Sequence, residues 1–320
     1  VKACGICGTD LSIYTGKYSA EYLPLIPGHE FSGVIERVGE GVEGIEPGEH
    51  VTADINMSCG RCFYCKRGRK LMCPEFTQLG IHTNGAFAEY VKAPAEQVHK
   101  LPEGLSFEYG AFVEPFSCAI HASKASQITI GSSVAIIGAG ALGILHSQIA
   151  RYRGAAPVII IEKNQRRLAI ARRMGVDFAI NADEVDPVQE VKRITEGRGA
   201  DYVIEAVGLP QTYEQAIEMS RPGGTIAAFG ITTPDATIRV KPFDFVLGER
   251  TMTGSCAGVG NDWSDAIALL QYGRIKPDPL FSLRVPLEEL EDAIKESMEN
   301  KDLMKVFVCP EIGEREVLDG

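Results

Sequence analysis

The sequence predicts an α/β fold in which a β-rich first part is followed by a doubly wound parallel sheet. Short strands separated by Gly and Pro fill residues 1–112, a pattern typical of a compact β-barrel-like domain. From Phe112 onward, apolar strands alternate with helical patterns, and apolar strands of this kind need helices on both faces of their sheet. With 320 residues, the chain is long enough for two domains, each with a buried core.

The elements follow from the local patterns in chain order. Strands are predicted in the first part at 33–38, 49–53, 85–91 and 97–100. The second part is predicted to run helix 115–126, strand 134–137, helix 141–153, strand 158–161, helix 166–174, strand 178–180, helix 187–195, strand 202–205, helix 211–220 and strand 225–229. A strand after Thr251, helix 263–270, strand 280–285, helix 287–298 and strand 306–308 follow. The last ten residues are polar, and we expect them to be loosely held.

The composition argues against several classes of function. A formal net charge of −11 disfavours nucleic acid or an anionic membrane as the partner. No run of about 18 apolar residues is present, so no transmembrane span is expected. Nine cysteines without a secretory signal indicate a reducing compartment, and we expect a cytoplasmic protein whose thiols bind metal.

Four cysteines, Cys59, Cys62, Cys65 and Cys73, lie close together in one basic loop. Four thiolates at this spacing close a tetrahedral shell around one Zn²⁺ and leave no open position. A disulfide pair and an iron–sulfur cluster are the alternatives. Cysteines three residues apart in a polar loop bridge poorly, and the spacing is wrong for two clusters. We therefore predict a structural zinc lobe over residues 59–73.

Residues 138–143 carry the pattern G-x-G-x-x-G between an apolar strand and a helix. A loop that binds a dinucleotide pyrophosphate at a helix N-terminus requires this context. A glycine turn without a ligand is the alternative. The residues predicted to contact the cofactor here are Gly138, Gly140, Ala141, Leu142 and Gly143.

Glu162 ends the next strand. Its separation in sequence from the glycine loop is the one at which an acidic residue accepts hydrogen bonds from the adenosine ribose hydroxyls. Arg166 and Arg167 follow at the start of a helix, and guanidinium groups there could instead pair with a 2′-phosphate. Because the carboxylate is nearer, we predict NAD rather than NADP. Arg167 is then expected to lie along the adenine and ribose.

A second set of metal ligands, Cys7, His29 and Glu30, is dispersed through glycine-rich loops. A thiolate, an imidazole and a carboxylate leave a fourth position for water or substrate, as a catalytic zinc requires. Glu114, at the junction of the two predicted domains, could ligate the metal directly or hydrogen-bond its water. Taken singly, a buried Cys or His is more often structural.

Together, these motifs resemble those of the zinc-containing medium-chain dehydrogenase/reductase family, nearly end to end. The segment 28–42 matches the family's zinc signature, while residues 5–10, the cysteine lobe and the glycine loop follow in family order. The resemblance implies a GroES-like catalytic domain, residues 1–112 and 283–320, interrupted by a Rossmann NAD-binding domain, residues 113–282. It also implies family strands before Val1, and a homodimer or homotetramer that pairs through the nucleotide domain.

Within the family, Glu114-Pro115-Phe116-Ser117 with the following His121 is most similar to the polyol dehydrogenase branch. Threonine dehydrogenases typically have aspartate in place of that glutamate. Two positions depart from the relatives. Ser12 stands where several relatives have a proton-relaying histidine, and residues 255–260 lack the Arg-Tyr pair of sorbitol dehydrogenases, so sorbitol itself is not implied.

The resemblance thus implies a dehydrogenase with two zinc ions per chain that uses NAD to oxidise a secondary hydroxyl of a polyol, sugar alcohol or cyclitol. Thr9 and Ser12 would relay the hydroxyl proton, with Glu114 beside the zinc. Oxidation of threonine or of a simple alcohol is an alternative within the family. A non-catalytic nucleotide-binding homologue and an NADPH reductase of the zinc-free branch are the others.

Overall fold

The computed structural model of the protein describes residues 1–318. Its strands are β1 (Ala3–Gly5), β2 (Glu30–Val34), β3 (His50–Ala53), β4 (Asn56–Met57), β5 (Thr77–Gln78), β6 (Val98–Lys100), β7 (Val134–Ile137), β8 (Val158–Glu162), β9 (Phe178–Asn181), β10 (Ala200–Glu205), β11 (Ser220–Ala228), β12 (Thr251–Gly254), β13 (Phe281–Val285), β14 (Lys305–Val308) and β15 (Glu316–Val317). Its helices are α1 (Gly8–Tyr14), α2 (Phe107–Ser126), α3 (Ala141–Tyr152), α4 (Gln165–Arg173), α5 (Pro187–Ile194), α6 (Pro210–Met219), α7 (Pro242–Leu247), α8 (Asn261–Gln271) and α9 (Leu290–Glu299).

The chain forms two compact units, divided after Ser117 and again after Cys256. The first unit contains residues 1–117 and resumes at Ala257, and the second contains residues 118–256. α8 belongs to the first unit, because its Trp263 is fully buried there, stacks on His99 and donates a hydrogen bond to Gly258 O. The chain therefore returns to the first unit before β13.

The first unit is built on a sheet with the strand order β15-β13-β14-β1-β2-β3-β6. Strands from the beginning and the end of the chain meet at β1, which pairs antiparallel with both β2 and β14. Its core includes Phe31, Ile55, Phe87, Val285 and Val308. This topology sets residues that are far apart in sequence side by side around β1.

The second unit is a parallel sheet with the order β12-β11-β10-β7-β8-β9. Its central strands are continuous apolar runs, as strands covered on both faces require; Val134–Ile137 is fully buried along its length. The first strand of this unit is β7; the chain adds β8 and β9 on one side of it and then β10, β11 and β12 on the other, so the strand order reverses between β7 and β10. Open sheets of this kind bind ligands at the carboxyl ends of the strands at such a point.

The predicted elements of the second unit agree with the structure to within a few residues. In the first unit, three predictions were wrong. Residues 85–91 form no strand, since their amides bond to the 26–28 loop instead, as from Ala86 N to Gly28 O. The strand predicted at 33–38 is β2, which begins earlier because Glu30 pairs with Gly5. The helix predicted from Pro115 begins at Phe107, and the Pro is accommodated within it.

Two short helices, α1 and α7, and the two-residue strands β4, β5 and β15 were missed. α1 and α7 are too short to show a helical period, and β15 lies in the polar end of the chain expected to be loose. β15 pairs with β13, and Arg284 forms an ion pair with Glu316 at 3.0 Å. The last two residues of that predicted loose segment lie outside the described residues. In the part of the chain that is described, no helix combines the length and apolarity needed to cross a bilayer.

Candidate metal centres and nucleotide-binding loop

The structure brings Cys7, His29 and Glu30 together. Cys7 follows β1 and immediately precedes α1, while His29 and Glu30 stand at the start of β2, which pairs with β1. One ligand atom from each of the three lies within 4.8 Å of the others. A thiolate, an imidazole and a carboxylate this close fit a zinc ion with a position left for substrate.

Asp10 supports this cluster from behind and is fully buried. Its Oδ2 accepts a hydrogen bond from Cys7 N at 2.8 Å, and its Oδ1 accepts one from Gly28 N at 3.2 Å. Oδ1 also lies 3.4 Å from Nδ1 of His29. Burial alone would lower the pKa of His29, but Asp10 and then Cys7 raise it well above its usual value. A carboxylate behind a ligating histidine fixes the orientation of the ring and leaves the other nitrogen for metal.

Lys305 on β14 holds the remaining ligand. Its Nζ lies 2.5 Å from Glu30 Oε2 and also donates to Ile6 O. Burial works to lower the pKa of Lys305, but the Glu30 carboxylate and Cys7 raise it above its usual value. Neither Asp10 nor Lys305 was predicted from the sequence. Lys305 could have been noticed, because it is the only charged residue of the otherwise apolar strand β14.

Glu114 lies on α2 and is almost fully buried. Its charge contributes to raising the pKa of Lys305, so it faces the same region of the first unit. Glu114 is not part of this cluster: among residues 1–318, the ligand atoms that lie within 4.8 Å of one another here are those of Cys7, His29 and Glu30. Ser117 Oγ donates to Glu114 O and fixes the helical turn that carries it.

The two residues proposed for proton transfer lie on α1, directly after Cys7. Thr9 and Ser12 are three positions apart and therefore share one face of the helix. Both are half-buried. Ser12 Oγ donates to Gly8 O at 3.1 Å, which leaves its oxygen able to accept a hydrogen bond from a neighbour.

The four cysteines of the lobe converge as a second cluster, with their sulfurs within 4.8 Å of one another. Two sulfur pairs, Cys62–Cys65 and Cys59–Cys73, are 3.5 Å apart. All four are free thiols, so the disulfide alternative does not hold in this structure. Zinc–sulfur bonds of about 2.3 Å place tetrahedral sulfurs roughly 3.8 Å apart, close to the spacing seen. Hydrogen bonding from Ser58 lowers the pKa of Cys65 to about 7, toward the thiolate that a metal needs.

The glycine loop has the geometry of a phosphate cradle. Gly138 has a φ of 103°, and a Cβ on Gly143 would lie 1.9 Å from Gly138 O, so both glycines are needed for the turn itself. A Cβ on Gly140, in contrast, would meet nothing within 4 Å. Gly140 caps α3, whose first residues are Ala141 and Leu142. The packing of the protein itself therefore does not require a glycine at position 140. The missing side chain instead leaves room for a phosphate at the helix N-terminus.

Glu162 ends β8 and is tied to the same loop. Its Oε2 accepts from Ala139 N at 3.0 Å, and its Oε1 accepts from Lys163 N and Asn164 N at 2.7 and 3.1 Å. Arg167 Nη1 is 3.8 Å from Oε2, too far for a hydrogen bond. The carboxylate is therefore fixed by backbone amides at the end of β8, with Arg167 beside it.

Both parts of the chain match known protein families. An alcohol dehydrogenase GroES-like domain matches residues 1–103, and a zinc-binding dehydrogenase domain matches residues 141–272. L-threonine 3-dehydrogenase of Bacillus licheniformis is 35% identical over 314 residues, which cover 97% of this chain and 90% of that protein. D-arabinitol dehydrogenase 1 of Uromyces fabae is 33% identical over 313 residues, covering 97% and 88%.

Solved structures show the same likeness. The crystal structure of a zinc-binding dehydrogenase from Sinorhizobium meliloti, bound to NADP, is 35% identical and covers 97% of this chain and 90% of its own, with a TM-score of 0.91. The relatives act on CH–OH groups, and the thiolate–imidazole–carboxylate cluster and glycine loop are both in place. The chain therefore belongs to the zinc-containing medium-chain dehydrogenase/reductase family, as an oxidoreductase that uses zinc and a nicotinamide cofactor on small-molecule alcohols.

Proposed function

We propose that this alcohol dehydrogenase oxidises a secondary hydroxyl of a polyol, sugar alcohol or cyclitol to the ketone, with NAD as the hydride acceptor. The observation that carries the proposal is the cluster of Cys7, His29 and Glu30, braced by Asp10. Such a donor set leaves a coordination position for a substrate oxygen, which a purely structural site does not need.

The residues around the cluster have separate tasks. When bound, zinc supplies a Lewis acid for the substrate oxygen, and the nicotinamide cofactor accepts the hydride. Cys7, His29 and Glu30 hold the metal, and Glu114 contributes negative charge beside them. Thr9 accepts a hydrogen bond from the substrate hydroxyl and, as it takes that proton, releases its own to water or the cofactor ribose along the face of α1 that includes Ser12, in place of the histidine relay of some relatives.

The nucleotide is held by the second unit. Gly138, Gly140, Ala141, Leu142 and Gly143 cradle the pyrophosphate at the N-terminus of α3. Glu162 accepts hydrogen bonds from the ribose, with Arg167 along the adenine, and this favours NAD over NADP. The Sinorhizobium neighbour was solved with NADP, so the preference is a property to measure in this chain.

The cysteine lobe supplies the second metal site. Its four thiols enclose one zinc completely, so that ion organises the loop and takes no part in chemistry. We assign catalysis to the first unit, residues 1–117 with the segment that resumes at Ala257, and nucleotide binding to the second unit, residues 118–256. Because the four cysteines of the lobe are not bridged by disulfides, a reducing compartment such as the cytoplasm suits the protein.

Threonine is the second candidate substrate, since a threonine 3-dehydrogenase is 35% identical along nearly the whole chain. The arabinitol dehydrogenase is similar to almost the same degree, so overall identity does not separate an amino alcohol from a polyol. The glutamate at position 114 favours the polyol. Substrate choice depends on the shape of the pocket, which differs among relatives that share every metal ligand.

A parallel screen of polyols, cyclitols, simple alcohols and threonine with NAD tests the proposal, read by the ultraviolet absorbance of the reduced cofactor. Polyol or cyclitol turnover above that with threonine supports the proposal, and the reverse order favours the amino alcohol. Cys7→Ser is the matched control, because it removes a metal ligand but leaves the nucleotide loop intact. Turnover in Cys7→Ser equal to wild type would exclude zinc chemistry at this cluster.

We also propose a homodimer or homotetramer. β12 is the edge strand of the parallel sheet, and the neighbouring α7 exposes Phe243, Val246 and Leu247 to more than two thirds of their surface. An unpaired edge beside exposed apolar side chains suits pairing with a second copy across a two-fold axis. Light scattering at micromolar concentration measures it, and a strict monomer would contradict it.

A further inference from the structure

A buried ion pair crosses the central strand of the first unit. Lys305 on β14 and Glu30 on β2 flank β1, and their side chains are 5% and 2% exposed. Lys305 Nζ lies 2.5 Å from Glu30 Oε2 and 3.2 Å from Ile6 O, one residue before Cys7. The cation therefore contacts one residue of the metal cluster and the backbone next to another.

Gly5 makes this contact across β1 feasible. It is the partner of Glu30 in the β1–β2 ladder and of Phe307 in the β1–β14 ladder. A Cβ at Gly5 would lie 2.3 Å from Glu30 Oε2 and 3.3 Å from Lys305 Cδ. The strand thus lacks a side chain where the ion pair passes over it.

Stability alone does not account for these charges. Removing two ions from water costs more than their attraction commonly returns, and a well-packed apolar pair at such a place is often as stable or more so. A carboxylate that contacts a fixed ammonium also donates less electron density to a second cation, because both compete for the same lone pairs.

We infer that Lys305 is a positioning residue that competes with the bound metal for the Glu30 carboxylate and keeps that ligand exchangeable. This inference rests on the proposed function, because it concerns the metal held by Cys7, His29 and Glu30. A metal bound permanently by all three residues would be held more tightly but would yield less readily to a substrate oxygen. Lys305 balances retention of the metal against access to it.

Lys305→Met tests this, since the side chain keeps its length and loses its charge. The carboxylate of Glu30 is left with the metal as its cation, so transfer of metal to a chelator should slow by about tenfold, within the range that groups behind metal ligands typically exert. The absorption of the cobalt-substituted protein should shift toward the weaker bands of a higher coordination number. Turnover should fall while nucleotide affinity stays unchanged.

The double variant Lys305→Met with Glu30→Gln shows whether the effect passes through the carboxylate. It buries no unpaired charge, and its metal-loss rate should no longer be slowed relative to Glu30→Gln alone. Lys295→Met is the control for the loss of an ion-paired lysine, because Lys295 pairs with Glu291 at 2.7 Å on the surface. It should change neither metal loss nor spectrum. Preparing each variant with metal present avoids dependence on the stability of a metal-free form.

Unchanged or faster metal loss in Lys305→Met would overturn the inference. So would a result in which Lys305→Met slows metal loss equally in the wild-type and the Glu30→Gln backgrounds. Such outcomes leave the proposed function intact if wild type binds an exchangeable metal and turns over alcohols. Failure of wild type to bind metal at this cluster would instead remove the proposed function itself, and that is measured before any variant.

Discussion

Oδ1 of Asp10 lies 3.4 Å from Nδ1 of His29, and the same carboxylate accepts hydrogen bonds from Cys7 N and Gly28 N. One buried side chain thus connects α1, which follows the cysteine ligand, to the loop that carries the histidine ligand. The two ligands come from separate segments, and this carboxylate fixes their relative position. Second-layer groups of this kind commonly change metal affinity or activity by about 10–100-fold when removed.

Asp10→Asn should therefore loosen the metal and lower turnover by about 10–100-fold. The amide has one acceptor oxygen where two are used, so its NH₂ group must face either a backbone donor or the imidazole. The free energy of unfolding should also fall by about 1–3 kcal/mol, the usual cost of an unmet buried hydrogen bond. Zinc content after dialysis, turnover and denaturant unfolding measure the three effects.

Glu43→Gln is the matched control for that substitution, because it also converts a carboxylate to an amide but at an exposed position. It should behave as wild type in all three measurements. Normal zinc retention and turnover in Asp10→Asn would contradict the role given to the carboxylate.

We expect two zinc ions per chain that differ in how readily they exchange. The ion held by Cys7, His29 and Glu30 keeps an open position, and the ion of the cysteine lobe has four sulfurs around it. Mild chelation should therefore remove one zinc and all activity while the fold persists. Elemental analysis before and after chelation, together with circular dichroism, gives the answer. Fewer than one zinc per folded chain at neutral pH would rule the assignment out.

The two metal clusters differ in how much of them could be predicted from the sequence. All ligands of the cysteine lobe lie within one short loop, and the residues of the glycine loop are consecutive, so local spacing was sufficient. Asp10 and Lys305 were missed for the opposite reason. Their contacts, to Gly28 and to Glu30, join segments that meet only because β2 and β14 pair on either side of β1. Strand pairing of that kind is not visible in local patterns.

The same distinction between local pattern and tertiary contact explains which strands were predicted correctly. Apolar strands covered on both faces, such as β7, are recognisable from composition, and the alternation with helices fixes their order. Residues 85–91 have the composition of a strand, but a Cβ at Gly85 would lie 2.2 Å from Gly28 O. That close approach to the His29 loop directs their hydrogen bonds out of the sheet, and only the tertiary structure reveals it.

NAD should be preferred to NADP by at least about tenfold in kcat/KM, equivalent to about 1.4 kcal/mol. The Glu162 carboxylate is held by three backbone amides, so it has little freedom to move away from a 2′-phosphate, and the like charges repel. Arg167, at 3.8 Å, partly offsets the repulsion. Kinetics with both cofactors measure the ratio, and equal values or a preference for NADP would show that the arginine decides.

Glu162→Ala should narrow the gap between the cofactors, because the repulsion disappears and Arg167 remains. Glu162→Gln is its matched variant, since the amide keeps the size and one acceptor for Ala139 N but carries no charge. A narrowed gap in both variants assigns the preference to the charge. Narrowing in Glu162→Ala alone would assign it to the shape of the glycine loop.

His146 should make the protein sensitive to acid. It lies in α3, fully buried, with its ring 4.6 Å from that of Phe229, and within residues 1–318 neither ring nitrogen has a hydrogen-bond partner. Burial lowers its pKa to about 3, against about 6.5 in an unfolded chain. The unfolded state therefore binds the extra proton first, and stability is lost progressively as the pH falls below about 6.5.

His146→Leu removes this proton linkage. As the pH falls from about 7.5 to about 5, wild type should lose about 2 kcal/mol of unfolding free energy that the variant keeps. The linkage relation requires this amount for a histidine whose pKa is about 3 in the folded protein. Taking the difference between variants at each pH cancels the effect of acid on the metal sites, which both proteins share. His50→Gln, at an exposed position, should give no such gain. A difference between His146→Leu and wild type that is constant with pH would show that His146 takes up its proton as readily in the folded protein as in the unfolded chain.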